Sequence, residues 1–386
     1  MTPEVLGSTF EIDSLSRKEK FMIAPKEHFH GSDLEKIEKI YGIKKEEITS
    51  FSANVNPLGI SPRLRATLSE KIDAITGYPD REYTSLRRSI SAYCGADPEH
   101  ILVGNGSTEL ISLFIQFIAP KHSLILAPTY SEYEREIGLT GGEFSYFFLD
   151  ESNEFKLDTD RLIDQLNPQL GLLVLCNPNN PTSSAIHKSE MNRILEACKK
   201  QGIFCLVDET YVEFAQDMDH ITAIPLIKEY NNLIILRGIS KFFAAPGLRL
   251  GYAICSNSGI LKTINERKNP WTINTLAAIA GEIMFTDSEY IQAAKNLIAS
   301  ERNRIRDILS NCKTVKLYPA FANFILIKIL KKDITASQVF DAAIRKGLMI
   351  RDCSTFTGLD ETFIRFCFMS PEKNDELLQV LLELFQ

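Results

Sequence analysis

The fold class is decided by residues 170–214, LGLLVLCNPNNPTSSAIHKSEMNRILEACKKQGIFCLVDETYVEF. Two short apolar runs, LGLLVLC at 170–176 and IFCLVD at 203–208, have the length of buried strands. Between them, SEMNRILEACKKQ at 189–201 has apolar residues at the spacing of an amphipathic helix. A strand, a helix and a second strand in this order predict a βαβ unit, in which the two strands lie parallel in a sheet covered by helices.

The same alternation extends outwards on both sides of this unit. Further strands are predicted by the apolar runs HILVGN (100–105), SLILA (123–127), NLIILRG (232–238) and LGYAIC (250–255). After Glu282, a long amphipathic helix is predicted over 289–311, and strands over 323–329 and 363–369 flank a second helix over 334–347. We therefore expect an α/β fold, with a large domain built on a mostly parallel central sheet and a smaller α+β C-terminal domain.

These patterns divide the chain at three points. Residues 1–27 are polar without sustained periodicity and predict an N-terminal extension. Residues 28–75 are expected to contribute to the small domain and to the substrate site. Residues 76–281 are expected to form the large domain and residues 282–386 the small C-terminal domain, with a substrate cleft between them.

The composition excludes several classes of protein. The 386 residues include 43 Lys and Arg against 50 Asp and Glu, a net charge of −7, which disfavours general binding to nucleic acid. The eight Cys form no C-x-x-C pair, so we expect reduced thiols, no disulfide framework and no metal site. No apolar run approaches the roughly 18 residues of a membrane span, and the N-terminus resembles no secretory signal. We expect a cytoplasmic enzyme or binding protein.

In such sheets, ligands bind beyond the carboxyl ends of the strands, so the residues that follow each strand are informative. GNGSTE at 104–109 combines small residues with a helix start, which suits a phosphate, although a tight turn explains it equally well. It is neither a P-loop nor G-x-G-x-x-G, because Glu109 stands where the third Gly would be. Tyr130, after the next strand, could stack on a flat ligand or pack in the core.

The later strand exits carry more specific signals. Two Asn-Pro steps at 177–181 predict a rigid extended turn. Asp208 ends an apolar strand, where an unpaired carboxylate is costly, so it requires a cationic partner such as a protonated ring nitrogen; Tyr211 follows it. Lys241 follows a buried strand among small and aromatic residues, and burial lowers the pKa of such an amine as a Schiff-base lysine requires. Arg249 is a cation suited to phosphate. Pyridoxal phosphate needs all of these roles at once.

Five ordered motifs, GNGSTE, NPNNPT, DETY, SKFFAAPGLRLGY and the late Arg365, resemble those of the fold-type I pyridoxal-phosphate enzymes, the superfamily of the class I and II aminotransferases. The resemblance covers nearly the whole chain after residue 27 and implies pyridoxal 5′-phosphate as the cofactor of the large domain. It implies that Lys241 binds the cofactor covalently and transfers protons, and that Asp208 keeps the pyridine nitrogen protonated. Asn180 and Tyr211 would hydrogen-bond the phenolic oxygen of the cofactor.

The same resemblance assigns the remaining contacts. Tyr130 would stack on the cofactor ring, and Arg365 would hold the α-carboxylate of the substrate. Tyr78, in GYPDREYTSLR, matches a residue that reaches the cofactor phosphate of the neighbouring subunit, which implies a homodimer with shared active sites. The cofactor phosphate would be held by Gly106, Ser107, Thr108, Ser240 and Arg249.

Within the superfamily, three further segments resemble those of the threonine-phosphate decarboxylases of cobalamin biosynthesis. These are HGS (30–32), FSANVNPLG (51–59) and IRDCSTFTGLDETFIRF (350–366). These decarboxylases are close relatives of histidinol-phosphate aminotransferases, and both bind amino compounds that carry a phosphate. The implied substrate is L-threonine O-3-phosphate, with serine phosphate as a further possibility. His30, Asn54 and Asn56 are candidates for its phosphate, but His30 also fits an ordinary loop and the two Asn also fit turn caps.

Three departures from the decarboxylase pattern leave the reaction open. Ser32 replaces a Gly, Gly238 removes a hydroxyl from the cofactor-phosphate site, and Met369 stands where a second Arg is usual. Transamination, including that of histidinol phosphate, therefore remains an alternative. A non-catalytic ligand-sensing domain is disfavoured because the chain has no helix-turn-helix extension and no basic patch. A nicotinamide-dependent oxidoreductase is disfavoured by the missing third Gly in GNGSTE.

Overall fold

The structure of the chain is a computed structural model that describes residues 33–385, so His30 and Ser32 lie outside the described residues. The strands are β1 (Thr49–Ser50), β2 (Ile101–Gly104), β3 (His122–Ala127), β4 (Glu143–Phe148), β5 (Leu172–Cys176), β6 (Phe204–Asp208), β7 (Leu233–Gly238), β8 (Gly251–Ile254), β9 (Val315–Leu317), β10 (Phe324–Ile329), β11 (Leu348–Met349), β12 (Arg351–Asp352) and β13 (Phe363–Cys367). The α-helices are α1 (Leu34–Tyr41), α2 (Pro62–Glu70), α3 (Thr84–Cys94), α4 (Gly106–Ile118), α5 (Glu132–Leu139), α6 (Thr159–Gln165), α7 (Lys188–Gln201), α8 (Ser258–Arg267), α9 (Thr275–Met284), α10 (Ser288–Leu309), α11 (Ala336–Ile344) and α12 (Pro371–Phe385).

The larger sheet has seven strands in the order β2-β8-β7-β6-β5-β3-β4. Neighbouring strands from β7 to β4 are parallel, whereas β8 runs antiparallel to both of its neighbours. Every side chain of β5 and β7 is buried, as expected for strands that helices cover on both faces. The expected α/β fold with a mostly parallel central sheet is therefore confirmed.

The register of the parallel strands brings their carboxyl ends to one edge of the sheet. Cys176 at the end of β5 lies opposite Asp208 at the end of β6, and Asp208 lies opposite Leu236 in β7. The alignment continues beyond the strands, because Asn177 N donates to Asp208 O and Glu209 N donates to Leu236 O, both at 2.8 Å. The loops after these three strands consequently begin side by side.

The smaller sheet has the order β12-β13-β10-β9, and all of its strand pairs are antiparallel. Strand β1 pairs with β11 in parallel, and Cys367 N at the end of β13 donates to Phe51 O (2.8 Å). The backbone after β1 is thus attached to the C-terminal part of the chain. The smaller α+β unit is present as expected, and the domain limits at residues 27, 75 and 281 stay predictions.

Strand β4 was not predicted from the sequence. It forms one edge of the larger sheet, where it pairs with β3. Of its six residues, Phe147 is the one that is buried, while Phe144 and Phe148 are exposed. An edge strand with a half-exposed face does not need the continuous apolar run of a central strand. The segment EFSYFF was therefore hard to recognise as a strand from its residues.

Helix α10, with 22 residues, carries charged side chains along its length and buries one face. Its buried residues include Ala294, Ile298, Glu301 and Ile305, at the three- and four-residue spacing of an amphipathic helix. Among residues 33–385, no helix is both long and apolar enough to cross a membrane. The expected location in the cytoplasm stays a prediction.

Helix α9 packs closely against α3 at Gly281. A Cβ atom at this position would lie 2.4 Å from Leu86 Cδ1 and 2.8 Å from Leu250 Cδ2. Both leucines are buried in the core, so their side chains have little free space to move into. The absence of a side chain at Gly281 therefore sets how closely the helix approaches the core beside the sheet.

We expect Gly281→Ala to lower the free energy of unfolding by about 1–3 kcal/mol, because the added methyl group overpacks a filled interface. The gain in helix propensity, about 1 kcal/mol, acts in the opposite direction. The matched control is Gly138→Ala in α5, where no atom of residues 33–385 outside the surrounding helix turn lies within 4 Å of the added Cβ, and this variant should keep or gain stability. Urea unfolding followed by circular dichroism measures both. Equal loss of stability in the two variants would contradict the packing described here.

Candidate active site

A cavity of about 390 Å³ lies where the loops after β5, β6 and β7 meet the smaller sheet and residues 52–55. Most of the side chains singled out from the sequence contribute to its wall. These are Asn54, Gly106, Ser107, Thr108, Tyr130, Asn180, Asp208, Tyr211, Ser240, Lys241, Arg249 and Arg365. The fold thus brings together residues that are far apart in the sequence, such as Asn54 and Arg365.

Tyr78 and Asn56 are not part of the cavity wall. Tyr78 exposes 82% of its surface, and its ring centroid lies 4.8 Å from that of Trp271. Asn56 is buried, and its Nδ2 donates to Phe242 O (2.8 Å), while its Oδ1 accepts from Leu58 N (3.1 Å). These contacts favour the turn-capping alternative for Asn56 over a contact with substrate.

Groups that favour an anion meet at the start of α4. The helix begins at Gly106, whose φ is 77°, and a Cβ atom there would lie 2.6 Å from Arg249 Nη2. A glycine therefore allows the guanidinium to approach the helix start. The first backbone N–H groups of a helix have no partner within it and attract anions. Ser107, Thr108 and Ser240 add hydroxyls to the same wall, so this end suits a phosphate.

Gly238, the last residue of β7, has room for a larger side chain. A Cβ atom there would lie 3.6 Å from Leu250 O and 3.9 Å from Ser107 Oγ, which is ordinary van der Waals contact. A hydroxyl-bearing residue at this position would therefore stand next to Ser107. With glycine at this position, Ser107, Thr108 and Ser240 supply the hydroxyls at this end of the cavity.

Asp208 is a buried carboxyl group with well-defined donors. Its Oδ2 accepts from Tyr133 OH (2.8 Å), and its Oδ1 accepts from Thr210 N (2.9 Å) and from Thr210 Oγ1 (2.5 Å). Burial raises the pKa of Asp208, while the hydrogen bonds from Thr210 and Tyr133 act in the opposite direction. A cationic ligand group beside it would favour the ionised carboxylate, so the site suits a protonated nitrogen.

Lys241 lies three residues beyond β7 and is half-buried. Its Nζ donates to Ala53 O (2.7 Å), in the segment between β1 and α2. Burial, and after it the positive charge of Arg365, lowers the pKa of Lys241 to about 8. Near neutral pH, an appreciable fraction of an amine with this pKa is uncharged. Only the uncharged amine can attack a carbonyl group as a nucleophile.

Arg365, in β13, is buried with its guanidinium over the ring of Phe324, 5.1 Å from the ring centroid. Its Nη1 donates to Asn180 Oδ1, and its Nη2 donates to Ser52 O (2.8 Å). Among the described residues, its Nε has no hydrogen-bond partner although it is buried. The Arg365 guanidinium is therefore held in place in the cavity wall and has an N–H group left to donate. A cation of this kind suits a carboxylate.

Two tyrosines contribute their rings to the wall. Tyr211 is buried, its hydroxyl accepts from Asn54 Nδ2 (3.3 Å), and its ring packs edge-on against Phe324. Tyr130 is half-buried and packs edge-on against Tyr133, with 5.6 Å between ring centroids. Burial raises the pKa of both phenols, so both keep their protons near neutral pH and can donate hydrogen bonds.

Arg351 is a cavity residue that the sequence analysis missed. It lies in β12 directly opposite Arg365 in β13. Its Nη2 donates to Thr355 Oγ1 (2.9 Å), and its guanidinium lies 5.2 Å from the ring centroid of Phe356. The sequence feature that could have identified Arg351 is one Arg in each of two strand-like segments, IRD and FIRF. The two Arg side chains can be placed opposite each other only when the antiparallel register of these strands is known.

Met369 was expected to mark a missing cation near the substrate, but its side chain does not line the cavity. It packs partly buried against the core, and Cys367 Sγ lies 3.7 Å from its Sδ. Its backbone N donates to Asn374 Oδ1 (2.9 Å). The guanidinium that lies opposite Arg365 in the cavity wall belongs instead to Arg351 in β12.

A buried ion pair supports the loops that carry these residues. Arg237 in β7 donates from Nη2 (2.7 Å) and Nε (3.0 Å) to Glu209 Oε2, and Glu209 also accepts from Thr222. Glu213 approaches the same guanidinium at 3.8 Å. Burial raises the pKa of Glu213 to about 7, against the charge of Arg237. The pair connects the end of β6 to the end of β7.

The donor set fits the cofactor that the sequence resemblance implied. The helix start at Gly106 with Arg249 beside it forms a cradle that a Cβ atom would fill, and it suits a phosphate. Buried Asp208, with its raised pKa, suits a protonated pyridine nitrogen. Lys241, with its lowered pKa, suits covalent attachment to a carbonyl group.

Comparisons with known proteins agree with this fit. The family model of the class I and II aminotransferases matches residues 46–381. The chain is 32% identical over 353 residues to threonine-phosphate decarboxylase of Salmonella typhimurium, with 91% of this chain and 95% of that protein covered. Histidinol-phosphate aminotransferase from Clostridium acetobutylicum superposes with a TM-score of 0.81 at 31% identity, covering 86% of this chain and 98% of that one.

Histidinol-phosphate aminotransferase from Sinorhizobium meliloti, in complex with pyridoxal-5′-phosphate, shares the fold with a TM-score of 0.83 at 20% identity, covering 96% of this chain and 100% of that one. The Salmonella protein is named as a decarboxylase and the Clostridium protein as an aminotransferase, so these two comparisons agree on the family and differ in the reaction. The chain belongs to the class I and II aminotransferase family, and it is a pyridoxal-phosphate-dependent enzyme.

Proposed function

We propose that this enzyme decarboxylates a small amino acid that carries a phosphate, converting L-threonine O-3-phosphate to 1-aminopropan-2-ol phosphate. Serine phosphate is a related substrate. The observation that carries the proposal is the pair of guanidinium groups of Arg351 and Arg365, which occupy facing positions on adjacent strands in the cavity wall. Threonine phosphate presents a carboxylate and a phosphate, one anion for each guanidinium. Histidinol phosphate presents only the phosphate.

In this proposal, Arg365 holds the α-carboxylate and Arg351 holds the substrate phosphate. The buried Nε of Arg365 lacks a hydrogen-bond partner among the described residues, so it is available to a bound anion. Asn54 lies in the same wall, and its Oδ1 is likewise buried without a partner among residues 33–385. We assign this oxygen to a donor group of the substrate, such as its amine.

Pyridoxal phosphate, when bound, supplies the electron sink that weakens the bonds at the substrate α carbon. We assign Asp208 to keep its ring nitrogen protonated and Tyr211 and Asn180 to hydrogen-bond its phenolic oxygen. Tyr130 would stack on the ring. The phosphate would be held by the backbone and side chains of Gly106, Ser107, Thr108, Ser240 and Arg249.

The reaction depends on which bond at the α carbon is broken. In decarboxylation, the carboxylate held by Arg365 leaves as carbon dioxide, and the Lys241 ammonium delivers a proton to the α carbon. In transamination, the neutral Lys241 amine removes the α proton instead. The lowered pKa of Lys241, about 8, makes both protonation states accessible near neutral pH. Transamination is the second candidate, because two of the similar structures are named as aminotransferases.

We also propose that the enzyme acts as a homodimer in which Tyr78 reaches the cofactor phosphate of the other subunit. Tyr78 and Trp271 form an exposed aromatic pair, and the Arg81 guanidinium lies 5.9 Å from the Trp271 ring centroid. Exposed aromatic side chains of this kind are typical of surfaces that a partner covers.

The pH dependence of cofactor attachment tests the role of Lys241. Because only the neutral amine reacts, a pKa of about 8 means that attachment of pyridoxal phosphate to cofactor-free enzyme should accelerate about fivefold between pH 7 and 8 and level off above pH 9. An ordinary lysine, with a pKa of about 10.4, would keep accelerating about tenfold per unit to pH 10. Stopped-flow absorbance measures the rate. A profile that still rises steeply at pH 10 would contradict the buried environment of Lys241.

The products formed by purified enzyme test the proposed reaction. With threonine phosphate, we expect carbon dioxide and aminopropanol phosphate, and no glutamate when 2-oxoglutarate is added. Carbon dioxide is measured by a coupled assay and the amine by mass spectrometry. Formation of glutamate from histidinol phosphate and 2-oxoglutarate, without release of carbon dioxide from threonine phosphate, would establish transamination instead.

Arg351→Met tests the assignment of the substrate phosphate. We expect kcat/KM for threonine phosphate to fall about a hundredfold, equivalent to about 3 kcal/mol, because a charge-assisted contact to phosphate is lost. Activity with unphosphorylated threonine should change much less. The matched control is Arg161→Met, because the Arg161 guanidinium also lies over a ring, 4.8 Å from the Phe147 centroid, but outside the cavity. Equal losses with both substrates would show that Arg351 does not bind the phosphate.

A further inference from the structure

One side of the cavity is closed by contacts between the two sheets. The segment after β12, residues 353–358, which we term the Thr357 loop, lies beside edge strand β4 of the larger sheet. Thr355, Phe356 and Thr357 of this loop line the cavity together with Tyr146 of β4 and Glu134 of α5. The two walls therefore meet at the side of the cavity that contains Arg351.

A polar contact joins the walls at this point. The Tyr146 hydroxyl donates to Glu134 Oε2, and the Thr357 side chain interacts with the same hydroxyl. The Tyr146 ring is half-buried, and it packs between Phe144 and Phe148, with centroid distances of 5.4 and 5.8 Å. The hydroxyl is thus held in one orientation by its own strand and helix, and it offers the loop a fixed attachment point.

The backbone of the loop contacts the larger sheet as well. Gly358 has a φ of 90°, and a Cβ atom there would lie 3.3 Å from Phe148 Cδ1 and 3.7 Å from Pro128 N. The loop can approach β4 this closely because Gly358 has no side chain and adopts a conformation that other residues rarely adopt. Two independent contacts therefore dock the Thr357 loop on the larger sheet.

The docked loop also fixes Arg351. Thr355 Oγ1 accepts from Arg351 Nη2 (2.9 Å), and Ser354 N donates to Asp352 Oδ1 (2.8 Å), so the loop begins as a compact turn. The guanidinium lies over the ring of Phe356 in the same loop. The position of this cation consequently depends on where the loop is held.

We propose that Tyr146 and Glu134 are positioning residues for substrate specificity: by docking the Thr357 loop, they hold Arg351 where it selects a phosphorylated substrate. The Glu134 carboxylate adds a negative charge to the wall opposite the loop, which directs an anionic substrate group towards Arg351 and away from β4. This inference rests on the proposed function, because it assigns the substrate phosphate to Arg351. Neither residue needs to touch the reacting atoms.

Tyr146→Phe tests the proposal, because it removes the hydroxyl and keeps the ring packing. For the phosphorylated substrate that the enzyme accepts, we expect KM to rise about tenfold while kcat stays within about twofold, as for the loss of one partly buried polar contact. The ratio of kcat/KM between phosphorylated and unphosphorylated substrate should fall by the same factor. Gly358→Ala, which leaves Tyr146 in place, should change KM in the same direction.

The matched control is Tyr318→Phe. Tyr318 OH also donates to a glutamate, Glu151 Oε1 at 2.8 Å, but outside the cavity. This variant should leave KM and kcat unchanged. A second readout does not need turnover: in enzyme with bound cofactor, the backbone amides of residues 353–359 should exchange hydrogen faster in Tyr146→Phe than in Tyr318→Phe or wild type.

Failure of the proposed function and failure of this inference are distinguishable. If wild type releases no carbon dioxide but transaminates histidinol phosphate, the proposed reaction is wrong, and the same comparison of KM is made with histidinol phosphate. Unchanged KM together with unchanged exchange in Tyr146→Phe would overturn the inference whatever the reaction. A loss of kcat with unchanged KM would overturn it as well, because it would show that Tyr146 acts on the chemical step.

Discussion

The ion pair between Glu209 and Arg237 is the interaction on which the arrangement of the site depends. Both side chains are almost completely removed from solvent, and removing one partner would leave an uncompensated buried charge. Glu209 directly follows Asp208, and Arg237 precedes Lys241 by four residues. The pair therefore ties the end of β6 to the end of β7, and with them a carboxyl group and an amine that have oppositely shifted pKa values.

The segment between β1 and α2 connects this arrangement to the smaller sheet. Ala53 O accepts from Lys241 Nζ, Ser52 O accepts from Arg365 Nη2, and Asn54 Nδ2 donates to Tyr211 OH. A stretch of three residues thus contacts the amine, the candidate carboxylate-binding cation and a cavity phenol. Its own position is set by β1, which pairs with β11 of the C-terminal part of the chain. Chemistry in this cavity therefore depends on how the two sheets are held together.

The sequence predicted the central strands and the residues at their exits, because buried parallel strands are continuous apolar runs and their ends share one edge of the sheet. Residues such as Asp208 and Lys241 could be found in this way. Strand β4 was missed because an edge strand is half-exposed, and with it Tyr146. Arg351 was missed because its position opposite Arg365 depends on the antiparallel register of β12 and β13, which the residue pattern of either strand does not show. The contact of Asn56 with Phe242 is likewise tertiary, and no local sequence pattern predicts it.

The residues that follow the parallel strands converge on Lys241, which carries the cofactor in the proposed function. The most direct measurement is borohydride reduction of the enzyme with bound pyridoxal phosphate, followed by proteolysis and mass spectrometry of the labelled peptide. We expect one pyridoxyl group per chain, located on Lys241. A label on any other lysine, or none in a folded protein that retains its activity, would contradict it.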